Sequence, residues 1–275
     1  AITNIAPGGA GGNYWALTGT AEPNSTVAIF EGSTQLAAVT ASASGSWSYV
    51  TTGSVTNSSI RTFTASASDA AGNTSAFLAA WIEGTAGNVT FDFASRANLV
   101  APGEVDGNGG TDTISMTAPV TLGSGDFANV TSVETLQLTG ASTVTLGADA
   151  ATAGIVNIVT GAGTTGITDA NGVALSVDAT ALADDLTLTL AGSAARTVTG
   201  VRGDLAASGV SGALNVTTVA VASGLSIATG SGSNTITASA LTAGQTLTLT
   251  GSSAATVTLN AGNLSAGAYT GNLTV

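Results

Sequence analysis

Leu190-Ala191-Gly192-Ser193-Ala194-Ala195-Arg196-Thr197-Val198 and Leu249-Thr250-Gly251-Ser252-Ser253-Ala254-Ala255-Thr256-Val257 are two copies of one pattern, set 59 residues apart. The same offset carries Ala181-Leu182 onto Ala240-Leu241 and Asp204-Leu205 onto Asn263-Leu264. It also carries Gly212, Leu214 and Val216 onto Gly271, Leu273 and Val275. A fixed internal period of this size is the mark of a stacked architecture. Each block, about 174–216 and 233–275, holds several short runs in which apolar and β-branched residues alternate, so the period spans a group of coils. Stacked coils with small residues at their corners describe a β-solenoid, in which apolar side chains are buried only against neighbouring coils. Strand spacing alone fits a second β-sandwich as well, and that alternative stays open at this point.

Working outward from the repeat, short strand-like runs fall at 134–138, 143–146, 155–159, 174–177, 186–190, 197–199, 214–217, 225–227, 235–237, 247–249, 256–259 and 272–275. Turns rich in Gly, Ala, Ser and Asn separate them. Toward the N-terminus the strand-like runs are longer, at 14–18, 26–30, 35–39, 46–50 and 61–67. Between them lie the turn signals Glu22-Pro23-Asn24, Glu31-Gly32-Ser33, Ser44-Gly45 and Asp69-Ala70-Ala71-Gly72-Asn73. Alternating strands at this spacing predict a β-sandwich with Trp15 and Trp47 in its core. The expected fold is therefore all-β, with a β-sandwich over 1–86 followed by a β-solenoid, or alternatively a second β-sandwich, over 87–275.

Composition narrows the function. The 275 residues contain no Lys, no His and no Cys, and four arginines face sixteen carboxylates for a net charge of −12. Such a chain has no basic face to neutralise phosphates, which excludes nucleic-acid binding, and it is repelled by anionic lipid. Without Cys there are no disulfides and no thiolate metal sites. No apolar stretch approaches the ~20 residues of a membrane helix. No signal peptide is visible at Ala1, and the sequence reads as a processed protein or a piece of a longer one. The small partner suited to this charge balance is a hard cation, above all Ca²⁺.

Two family resemblances rest on particular residues. Gly19-Thr20-Ala21-Glu22-Pro23-Asn24-Ser25-Thr26-Val27, then Ala43-Ser44-Gly45-Ser46-Trp47-Ser48, then Phe63-Thr64-Ala65-Ser66-Ala67-Ser68-Asp69-Ala70-Ala71-Gly72-Asn73-Thr74-Ser75 resemble the bacterial Ig-like repeats of large secreted adhesins. The resemblance covers about 80 residues and implies a spacer or stalk module. It also implies that the turns holding Glu22, Asp69 and Asn73 share one pole of the sandwich. A Ca²⁺ there would stiffen a junction, with Glu83, Asp92 and Glu104 as further oxygen donors.

From about residue 100, Val105-Asp106-Gly107-Asn108-Gly109-Gly110-Thr111-Asp112-Thr113-Ile114 followed by Phe127-Ala128-Asn129-Val130-Thr131-Ser132-Val133-Glu134-Thr135-Leu136 is similar to β-solenoid segments of type I-secreted surface-layer and RTX-related proteins. Turns of Gly, Asn and Asp deliver several oxygen ligands within a few residues, so Asp106, Asn108 and Asp112 are candidate Ca²⁺ ligands. RTX-type repeats carry the motif coil after coil. Here it occurs once clearly, and at Gly232-Ser233-Asn234-Thr235-Ile236 Asn234 replaces the acid, so a full row of ions is not expected.

Enzyme chemistry finds little to work with. Absence of His and Cys excludes Ser-His-Asp and Cys-His catalysis, and no Lys follows Gly107 to Gly110 to make a P-loop. The adjacent Asp184-Asp185 reads as a solvated turn, because neighbours in a strand point to opposite faces. No catalytic residue is assigned. The expected function is a non-enzymatic structural protein of the bacterial cell surface, extracellular, self-assembling into a layer, sheath or filament and stabilised by calcium. Its expected partners are further copies, through lateral or end-to-end β contacts, and a cell-surface polysaccharide. The alternatives are a stalk segment of a large adhesin and, ranked below both, a polysaccharide-active solenoid enzyme.

Overall fold

The computed structural model describes residues 1–8, 14–51, 61–76, 80–184, 186–222 and 224–275. Two compact units emerge. The first comprises residues 1–89, 100–112 and 129–132; the second comprises 90–99, 113–128 and 133–275.

In the first unit, alternation of large apolar with small polar residues makes strands that bury one face. Trp15 and Leu17 of strand Tyr14–Thr20 point inward while Ala16 and Thr18 do not. An antiparallel sheet of three strands, Ile2–Gly8, Tyr14–Thr20 and Ser46–Val50, supplies one layer. The second sheet runs Val130–Thr131, Glu104–Asp106, Trp81–Glu83, Arg61–Ser68, Thr26–Glu31, Thr34–Thr40. Trp15, Leu17, Val27, Ile29, Trp47 and Phe63 form the core between the layers. The turn into Thr26–Glu31 follows its sequence: Pro23 sits at the second position, Asn24 at φ 63 at the third, and the Ser25 N–H returns to the Glu22 carbonyl at 3.1 Å. Strand Trp81–Glu83 pairs antiparallel with Arg61–Ser68 on one side and parallel with Glu104–Asp106 on the other.

The second unit is a parallel β-solenoid. One sheet has ten parallel strands, from Thr90–Phe93 to Leu273–Thr274; the other has eight, from Thr121–Leu122 to Asn263–Ser265. One inward rung runs unbroken through Phe91, Ile114, Leu136, Ile158, Val177, Val198, Val216, Ile236 and Val257, all buried. The register explains the sequence period. Arg196 pairs with Leu214, Leu214 with Asn234, and Asn234 with Ala255, so three coils advancing 18, 20 and 21 residues make up the offset. Coil lengths vary, so the pattern recurs only after three turns. Two short helices, Arg96–Val100 and Ala148–Ala153, interrupt the all-β pattern.

Two inward strand positions are charged, Asp169 and Arg196. Arg196 lies between Leu175 and Leu214 on its rung and is fully buried. Its Nη1 donates to the carbonyls of Val173 and Ala195 at 2.9 and 3.0 Å, and its Nη2 donates to Asp169 Oδ2 at 3.1 Å. Asp169 also accepts the N–H groups of Asn171 and Val173. The guanidinium thus ties two corner turns together. Only glycine fits beside it, because Gly192 has φ 132 and a Cβ there would lie 2.2 Å from Nη2.

Removing one member of a buried ion pair leaves the other uncompensated. Arg196→Ala is expected to lower the stability of the solenoid's urea unfolding transition by about 3–5 kcal/mol. Arg202→Ala, which breaks the half-exposed 3.4 Å pair with Asp184, is expected to change it by less than ~1 kcal/mol.

Candidate functional site

Apart from the Glu31–Arg61 pair, the charged side chains of the first unit gather around two turns. Strand Glu104–Asp106 ends in the loop Gly107–Asp112, and its parallel register sets Trp81 opposite Glu104 and Glu83 opposite Asp106. Asp106 Oδ1 accepts the Asn108 N–H at 2.9 Å, closing a local turn with Asn108 in the left-handed region at φ 65. The Asn108 Nδ2 donates to Glu83 Oε2 at 3.1 Å. Glu83 is 1% exposed. Burial pushes its carboxyl up to about 7; the Asn108 hydrogen bond opposes the rise, and the nearby charges of Asp106 and Glu104 add to it. Burial, followed by the charge of Asp106, raises Glu104 as well.

Asp112 goes elsewhere. It is buried, and its Oδ1 accepts the Val89 N–H at 2.8 Å. Gly107 lets this loop lie close to its neighbours: a Cβ there would meet the Ser132 carbonyl oxygen at 1.9 Å and Asp112 Oδ2 at 2.5 Å. The structure therefore brings together Asp106, Asn108 and Glu83, with Glu104 on the same strand as Asp106, and gives Asp112 a backbone-bonding role. Glu83 and Glu104 join this group rather than the Asp69 turn, and Asp92 lies in the ten-stranded sheet of the solenoid.

The second turn brings together Glu22, Asp69 and Asn73. They line a concavity of about 400 Å³ with Ser25, Ala67 and Thr74. Asp69 uses both carboxylate oxygens locally, Oδ1 for the Asn73 N–H at 2.8 Å and Oδ2 for the Asn73 Nδ2 at 2.7 Å. These bonds, the side-chain one foremost, hold its carboxyl below the usual carboxylate range. Glu22 is exposed, and its backbone carbonyl accepts from Ser25.

Among the described residues, no group of three or more Asp or Glu side chains is arranged around a common metal position. The first turn sets two carboxyls, Glu83 and Asp106, level with one another, oxygen donors of the kind a hard cation takes. The second turn offers less, since Asp69 is already engaged by Asn73. Asp184 accepts the Ala222 N–H at 3.0 Å and pairs with Arg202, while Asp185 lies outside the described residues.

Another concavity, of about 580 Å³, is lined by no charged residue and was not signalled by the sequence. Thr18, Thr20, Thr40, Ser46 and Ser48 line it together with Trp47, whose buried Nε1 has no hydrogen-bond partner. Its hydroxyls come from separate strands brought side by side only by folding.

Residues 10–82 match the bacterial Ig domain family. No curated protein and no solved structure matches the chain. Bacterial Ig domains are typically surface-exposed, and such a domain beside a β-solenoid fits a surface-associated structural or adhesin-like protein. The Ig domain suggests a non-enzymatic role. Among the described residues no helix is long and apolar enough to cross a membrane.

Glu83 sets a pH dependence. Its folded pKa of about 7 stands above the ordinary 4.5, so between these values the folded chain holds a proton that the unfolded chain has released. Stability is expected to fall by about 3 kcal/mol as pH rises through that window and to level off above it. Denaturant titrations at pH 5 and pH 8 in chelator check this, and Glu83→Gln is expected to flatten the difference.

Proposed function

We propose that this chain is an extracellular structural module of the bacterial cell surface that assembles with further copies of itself into a layer, sheath or filament. The observation that carries the reading is the joining of an Ig domain to a long parallel solenoid in a chain without Lys, His or Cys. Parallel stacks extend by adding strands to an open edge, and a charge-poor solenoid surface permits close lateral contact. Resemblance of the solenoid to surface-layer and RTX-related segments supports the same reading. Calcium enters as a stabilising ion at the Asp106–Asn108 turn with Glu83, and Asp112 shapes the loop from its anchor on Val89. The turn of Glu22, Asp69 and Asn73 is the second candidate position.

A stalk segment of a secreted adhesin is the second reading, and the uncharged hydroxyl-lined concavity beside Trp47 favours it. A neutral cell-surface polysaccharide would suit such a lining, because Ser and Thr hydroxyls both donate and accept.

Electron microscopy and sedimentation of the full chain in calcium and in EGTA test the proposal. Ordered arrays or filaments are expected in calcium, and a chain that stays monomeric in both conditions at high concentration overturns assembly. At a calcium concentration of ~100 Kd, binding to the folded state adds about 2.7 kcal/mol, read as a higher melting temperature. Asp106→Ala is expected to abolish that increment, whereas Asp69→Ala is expected to leave most of it.

A further inference from the structure

We propose that the outward face of the ten-stranded solenoid sheet, over its last five strands, is an ice-binding surface, with Thr197, Thr235-x-Thr237 and Thr256-x-Thr258 forming its grid. The register places Thr197, Asn215, Thr235, Thr256 and Thr274 on one outward rank, all exposed. A second rank carries Thr217, Thr237 and Thr258, paired in the same strands. Parallel strands fix the step along a rank at ~4.8 Å and the step between ranks at roughly 6.6 Å, twice the rise per residue. Both steps are close to oxygen repeats on the faces of hexagonal ice.

The side chains suit the purpose. A threonine hydroxyl donates once and accepts twice, so it joins a water lattice in either sense, while its methyl group holds neighbouring water in a cage. Threonine is also stiff at χ1, so the grid is set before a crystal arrives and little rotamer freedom is lost on contact. Charge matters equally, because ions hold hydration shells that do not fit ice. In a chain of net charge −12, none of the sixteen carboxylates points outward from these five strands, and the one arginine among them, Arg196, is buried inward.

The other solenoid sheet shows that this is a property of one face. Its matching rank reads Thr189, Ala206, Ala228 and Thr250, and Asp204 stands opposite Thr187. A second copy is a poor occupant of the threonine face, since five strands by two residues present only ~200 Å² against the ~800 Å² per partner of a stable dimer. The face also lacks the aromatic rings on which crystalline polysaccharides stack. This inference stands apart from the cell-surface reading and does not depend on it.

Ice-affinity partition of the full chain tests it: a solution is slowly frozen onto a cold probe and the protein in the ice is compared with that left in the liquid, beside an inert protein of similar mass. Thr235→Tyr places a bulky ring on the grid, and Thr189→Tyr places the same ring on the other sheet; circular dichroism confirms that both variants fold. The wild type and Thr189→Tyr are expected to concentrate in the ice, and Thr235→Tyr is expected to fall to the level of the inert protein. Partition of the wild type at the inert level, or of Thr235→Tyr at the wild-type level, overturns the proposal. So does a dimer that Thr235→Tyr abolishes, or binding to crystalline cellulose or chitin without enrichment in ice.

Discussion

The second unit depends on one constraint: a coil of about twenty residues cannot bury its own apolar side chains and must set them against the coils before and after it. Each coil contributes one central residue to the rung that runs from Phe91 to Val257, and each residue is covered by its two neighbours in register. Parallel backbone pairing fixes that register, because a slip of one residue would turn the whole apolar rank outward. The turns add to the same core: Leu182 and Leu241 are buried from turn positions, and Arg196 is held at its strand start by carbonyls of the adjoining turns.

Electrostatics in this chain are lopsided in an informative way. Each of the four arginines has a carboxylate partner: Arg61 with Glu31, Arg96 with Asp126, Arg196 with Asp169, and Arg202 with Asp184. No cationic side chain is left to neutralise the remaining twelve acids, the difference between sixteen and four. Where those acids crowd, as Glu83, Glu104 and Asp106 do across two paired strands, burial first and neighbouring charge second raise the Glu83 and Glu104 carboxyls and favour their protonated forms. The proton held at Glu83 links the stability of this turn to pH.

Much of the fold was legible because alternation is a local signal. The Ig strands and most solenoid strands declare themselves through Val, Ile, Leu and Thr at every second position. Gly166–Asp169 and Asp204–Val210 do not, since Gly, Ala and Ser have little strand preference of their own. They are strands because parallel neighbours on either side satisfy their backbone groups. The candidate sites show the same limit more sharply. Asp106 and Asn108 form the turn their sequence suggests, whereas the partner that matters, Glu83, lies far away in sequence and is brought in only by the parallel pairing of Trp81–Glu83 with Glu104–Asp106. Asp112 fits a ligand pattern by spacing, yet the fold buries it against a backbone amide.

That pairing also explains why the sheet of the first unit changes character along its width. An antiparallel sandwich sheet that ended at Trp81–Glu83 would expose an unpaired edge, and such edges recruit other chains. Here Glu104–Asp106 and then Val130–Thr131 add to that edge in parallel, from segments separated from it by more than a hairpin's length. Parallel addition needs a long connection, and the intervening residues 90–99 and 113–128 supply it by forming strands of the second unit. The edge is thus covered by the chain itself, with Glu83 and Asp106 opposite one another where the two strands meet. The acidic turn is a consequence of closing that edge: strands that meet in parallel bring like-facing residues level, and here those residues are carboxylates.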